Sequence, residues 1–91
     1  MARVFIAEPF RRLAGGRQWQ TVPGSTLMEV LRRLAKEHPA LRDKLLDPHG
    51  APRAHFLVYL GDRVVRTEDL EATPVERDSQ IKIFTVLAGG L

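Results

Sequence analysis

Ninety-one residues suit one domain, and a 44% hydrophobic share supplies one core rather than a disordered chain. The absence of cysteine excludes disulfides, thiolate metal sites, iron–sulfur clusters and a thiol nucleophile. The net charge of +3 is spread along the chain, as in Arg3, Arg17, Arg42 and Arg77, which speaks for a solvated surface over a nucleic-acid footprint. No apolar run approaches the roughly 18–20 residues that span a bilayer. Met1 to Ile6 lacks the pattern of a signal peptide, so a cytoplasmic address is expected.

Val4 to Ala7 is apolar and rich in β-branched and aromatic types, and reads as a first strand. Gly15-Gly16 marks a turn, Arg17 to Val22 returns as a second strand, and Pro23-Gly24 ends it. Thr26 and Glu29 have capping-box spacing, in which the hydroxyl caps an early N–H and the carboxylate reaches back. Behind them Leu27, Val30, Leu31, Leu34 and Ala35 make one apolar stripe, and His38-Pro39 closes the helix. Ala40 to Leu46 is expected to form a shorter helix, followed by a loop over Asp47 to Pro52. His55 to Leu60, Arg63 to Arg66 and Gln80 to Val86 supply three more strands, with Leu70 as a core plug in the irregular segment between the last two. A hairpin, a crossover helix and further strands predict an α+β fold. Four to five strands in a mixed sheet clasp one main helix, with the first and last strands free to pair in parallel.

Alternation sorts the side chains by face. Ile81 and Ile83 share one face of the last strand, while Lys82, Phe84 and Val86 share the other, which lysine marks as the solvent side. If Phe56, Val58 and Leu60 are core, Leu57 and Tyr59 join Phe84 outside as an apolar protein-binding cluster, unless the 40–54 segment covers them. Residues 1–86 then form the domain, and Leu87, Ala88, Gly89, Gly90 and Leu91 form a tail. Two glycines make a thin segment suited to threading a narrow channel, but glycines are common at chain ends, and on the tail alone that plainer reading prevails.

The run Ile81-Lys82-Ile83-Phe84-Thr85-Val86-Leu87-Ala88-Gly89-Gly90 resembles the C-terminal signature of the ubiquitin-like sulfur carriers. That family includes the molybdopterin-synthase small subunit and the thiamine-pathway carrier. Leu45-Leu46-Asp47-Pro48, the stretch from His55 to Arg66 and the helix entry Ser25-Thr26-Leu27 look like its cysteine-synthesis branch. The resemblance implies a β-grasp fold and a carrier that is a substrate, with no catalytic residue and no bound cofactor. An E1-like enzyme would use ATP to adenylate the terminal glycine carboxylate, and sulfur would then replace oxygen to give a thiocarboxylate. A synthase would accept the sulfide. Gly89 and Gly90 would carry the sulfur, and Phe84, Val86, Leu87 and Ala88, with Leu57 and Tyr59, would meet the partners.

Leu91 departs from the family pattern, because it locks Gly90 in a peptide bond. A processing protease could remove it, it could be left by an expression tag, or the carrier role could be lost. The alternative class is a β-grasp module that binds protein or RNA. An enzyme is the weakest reading. His38, His49 and His55 lack metal-ligand spacing, and Asp62 and Asp69 have no acid–base partner in sequence.

Overall fold

Two strands from opposite ends of the chain lie side by side in the sheet. In the computed structural model, which describes residues 1–86, β1 (Ala2–Ile6) and β5 (Gln80–Thr85) pair in parallel, Val4 opposite Ile81 and Ile6 opposite Ile83. The expected tail, 87–91, lies outside the described residues. β2 (Trp19–Val22) pairs antiparallel with β1. On the other side β3 (Phe56–Leu60) pairs antiparallel with β5, and β4 (Arg63–Val65) with β3. The order β2-β1-β5-β3-β4 makes β5 the middle strand of five.

Three helical segments complete the fold: α1 (Phe10–Leu13), α2 (Leu27–Glu37) and α3 (Pro39–Leu45). The main helix α2 buries Leu27, Val30, Leu31 and Leu34, the stripe its periodicity predicts, in one core with Val4, Ile6, Ile81 and Ile83 from the sheet. A sheet clasping this helix is the β-grasp architecture. The strand limits differ from expectation by one or two residues, as strand ends commonly do. α1 was not expected. It is a single turn, too short to show a period, and its Phe10 is buried.

The start of α2 is capped from two directions. Thr26 Oγ1 accepts from the Glu29 N–H at 3.2 Å, as the capping box requires. The Glu29 carboxylate reaches one residue further back than expected and accepts from the Ser25 N–H at 3.0 Å and the Ser25 hydroxyl at 2.9 Å. The next two amides are met by carbonyls from the segment after the 3₁₀ turn Thr67–Asp69. Leu27 N–H donates to Thr73 O at 3.0 Å, and Met28 N–H donates to Leu70 O at 3.2 Å. Met28, off the predicted stripe, is buried with Leu70 in the core for the same reason. The helix ends at His38, which precedes Pro39, and Pro39 at once opens α3. The buried Gln20 is satisfied locally. Its amide donates to Ala14 O at 2.6 Å, and its Oε1 lies 3.2 Å from His38 Nε2.

Three stability predictions follow from this packing. Leu70 is fully buried, so Leu70→Ala should cost about 2–5 kcal/mol in denaturant unfolding. Gly24 has φ +153°, and a Cβ there would sit 2.8 Å from Val30 Cγ2 and 3.0 Å from Val30 N. Gly24→Ala should therefore lose about 1–3 kcal/mol, by the same measurement. The Ser25 N–H and then its hydroxyl hold the Glu29 carboxyl below its ordinary range. Its contribution is therefore present above the unfolded-state pKa and is lost as pH falls through the folded one. Glu29→Gln should lower the melting temperature at neutral pH, with the deficit shrinking toward acid.

Candidate functional site

Alternation along the strands decides what the sheet shows on the side away from α2. Phe5 on β1, Trp19 on β2, Phe84 on β5 and Tyr59 on β3 all point outward, as the buried positions between them require. Their rings form a continuous row over four neighbouring strands. Trp19 and Phe5 have centroids 5.4 Å apart, Phe5 and Phe84 5.8 Å, and Phe84 and Tyr59 5.6 Å, the first and last pairs edge-to-face. Leu57 stands opposite Phe84, and Val64 stands opposite Tyr59. They are 40% and 45% exposed, so the 40–54 segment does not cover Leu57.

Two arginines are laid against this row. The Arg3 guanidinium lies 4.4 Å from the Trp19 ring centre, and that of Arg11 lies 5.5 Å from Phe5. Arg11 is also fixed at its root, where Nε donates to Ile6 O at 2.9 Å. Because β1 and β5 run parallel, Ile6 and Ile83 end at the same edge of the sheet. Arg11 therefore stands at the edge from which the chain leaves β5 toward residue 87.

At that edge Val86 N–H donates to His55 O at 2.9 Å. Beside it runs a groove of about 390 Å³, lined by Phe10, Lys44, Arg53, His55, Thr85 and Val86 together with Asp43. β5 ends at Thr85, and Val86, expected with Phe84 on the outer face, follows it and lines this groove together with Thr85. Arg53 is held in place, its Nε donating to Asp43 O at 2.8 Å and to Leu46 O at 3.1 Å. A second hollow of about 400 Å³ lies along α2, between Pro23 and Lys36, and has no lining residue in common with the tail root.

The expected site residues thus divide into three. Phe84, Leu57 and Tyr59 come together on the outer face; Val86 lies at the root; Leu87, Ala88, Gly89, Gly90 and Leu91 lie outside the described residues. Phe5, Trp19, Val64, Arg3 and Arg11 were not anticipated. Alternation of Arg3 and Phe5 with Val4 and Ile6 was a readable signal for Phe5, but joining it to Phe84 needed the register. The histidines have local places: His38 beside Gln20, the His49 N–H donating to Asp47 Oδ1 at 2.8 Å, and His55 in the groove. Among the described residues no cluster of three or more His, Cys, Asp or Glu could hold a metal. Nor is any described helix long and apolar enough to cross a membrane.

The ThiS family model matches residues 4–90. No curated protein matches the sequence. Among solved structures, Mycobacterium tuberculosis CysO superposes with a TM-score of 0.80 at 24% identity, over 96% of this chain and 100% of that one. CysO in the Amycolatopsis orientalis BexX/CysO complex gives 0.82 at 22%, over 99% and 100%. SAMP1 from Methanosarcina acetivorans, a small archaeal modifier protein, gives 0.85 at 18%, over 98% and 95%. At these identities the structures establish the shared fold, and the family match, which runs through Gly90, establishes the kinship. The chain therefore belongs to the ThiS family of ubiquitin-like sulfur carriers.

Proposed function

We propose that this protein carries sulfur as a thiocarboxylate on Gly90, after Leu91 has been removed. The observation that carries the reading is the span of the family match, which ends on Gly90 and leaves Leu91 beyond it. Supporting it, the last described residue leaves the end of the middle strand beside a row of outward aromatic rings. Four further extended residues reach about 13 Å, enough to enter a partner's active site while the domain stays outside.

The chemistry needs a free carboxylate. Hydrolysis of the Gly90–Leu91 peptide, the work of a processing protease, supplies it. An E1-like enzyme then joins the carboxylate to AMP from ATP with loss of pyrophosphate, and a sulfur donor displaces AMP to leave the thiocarboxylate. Transfer of the sulfide to an acceptor synthase, with water replacing the sulfur, returns the carboxylate. The protein is a substrate in each step and contributes no catalytic side chain. With no cysteine in the chain, the main-chain terminus is the group that holds the sulfur. The likeness to CysO favours a cysteine-forming acceptor over one that makes molybdopterin or thiamine, and a cytoplasmic cycle is part of the same proposal.

The test uses two forms, the full chain and one ending at Gly90. Each is incubated with the E1-like enzyme of the same organism, ATP and a sulfide donor, and its intact mass is measured. The Gly90 form should gain the mass of one oxygen-to-sulfur exchange, and the full chain should not. A Gly90 form that is never adenylated would overturn the carrier reading.

A further inference from the structure

We propose that the outer sheet face is matched to an apolar partner surface edged by carboxylates, and that Arg3, Arg11 and Lys82 are its charge-reading residues. The inference rests on the carrier reading for the partner's identity, but its grounds are the composition and geometry of this face. None of the outward strand positions carries an aspartate or glutamate: they hold Arg3, Phe5, Trp19 and Thr21 on one half, and Gln80, Lys82, Phe84, Leu57, Tyr59 and Val64 on the other. Asp62, in the β3–β4 turn, brings a carboxylate only to the margin, where it lines a shallow hollow with Tyr59, Lys82 and Phe84. The chain as a whole has eleven acidic residues to fourteen basic ones, so their exclusion from this face sets it apart from the rest of the surface.

None of the three cations has an ion-pair partner among the described residues. Among the described residues the ion pairs are Arg32 with Glu71 and Arg66 with Glu68, and neither includes Arg3, Arg11 or Lys82. Two of the three are also held in position. Arg3 lies on Trp19, and Arg11 lies over Phe5 with only its Nε engaged, leaving its terminal amino groups without a described hydrogen-bond partner. A guanidinium anchored in this way loses little freedom on forming a two-pronged bond to a carboxylate. Arg11 also marks one end of the interface, since it stands at the edge from which the chain leaves β5. A partner that takes up the tail meets it there.

An acidic protein surface fits this face better than a single-stranded nucleic acid. Sequence-tolerant nucleic-acid binding uses aromatic faces left open for bases to stack on. Here the rings pack against one another, and Arg3 and Arg11 lie over Trp19 and Phe5. What stays open is aliphatic, at Leu57 and Val64.

The sole tryptophan, Trp19, lies on the proposed interface and reports on it by its emission. The E1-like enzyme of the same organism serves as the protein probe and polyuridine as the nucleic-acid probe. Two double variants change the net charge equally: Arg3→Glu with Lys82→Glu on the sheet, and Arg33→Glu with Lys36→Glu on α2. Circular dichroism checks that each is folded, and if the sheet variant is not, Arg3→Gln with Lys82→Gln is read in its place. The native chain and the α2 variant should bind the enzyme with a shift in Trp19 emission. The sheet variant should bind about tenfold more weakly at low salt, with the difference shrinking as salt rises. Equal binding by the two variants, or binding with no change in Trp19, overturns the surface assignment and leaves the carrier reading standing. Tight, salt-sensitive binding of polyuridine that the sheet variant alone loses overturns it in favour of a nucleic acid. Failure of every form, including one ending at Gly90, to bind the enzyme removes both readings together.

Discussion

The parallel pairing of β1 with β5 is the constraint on which the rest of the molecule depends. Parallel neighbours cannot be joined by a tight turn, so the chain between them must cross over and supply the other elements. It does so with α2, whose apolar stripe covers the inner face, and with β3 and β4, which complete the sheet beyond β5. The same pairing sets the two strands in one direction. It therefore gathers Arg11, Phe84 and the tail root at a single edge, although Arg11 is more than seventy residues from the tail in sequence. Helix and sheet make the core, but this pairing decides which surface chemistry stands where the chain leaves β5.

How much of this was legible in the sequence depended on the length over which a pattern repeats. α2 shows two full turns of apolar stripe between a capping residue and a proline, and each signal proved accurate. β5 alternates cleanly between Ile81, Ile83 and Lys82, Phe84, and its outer face could be named. α1 could not, because four residues carry no period. Met28 is buried by a tertiary partner, the segment around Leu70, rather than by its place on the stripe. The outer ring row was half visible: Phe84 and Tyr59 came from single-strand alternation, while Phe5 and Trp19 joined them only through a register that spans the chain.

A carrier without a side-chain nucleophile puts unusual demands on its surface. On the proposed reading its reactive group is a main-chain carboxylate, chemically like every other protein terminus, so recognition must come from the folded domain. The aromatic row, the Arg11 guanidinium laid over Phe5 and the groove lined by Phe10 are three different surfaces meeting at one exit. Under the proposed cycle, enzymes that handle the same tail in succession have distinct ground on which to tell this protein from others. The pocket along α2, lined by Arg32, Arg33 and Lys36, stands apart from that exit.

The position of β5 also has a mechanical consequence. Its backbone is bonded to β1 on one side and β3 on the other, and Val86 adds a last bond to His55. These bonds lie across the strand rather than along it. Tension applied to the tail therefore loads both ladders in shear, many bonds together, instead of peeling them one at a time as it would from an edge strand. In the proposed cycle, a partner that pulls on the terminus would meet this resistance while the domain it recognises stays folded.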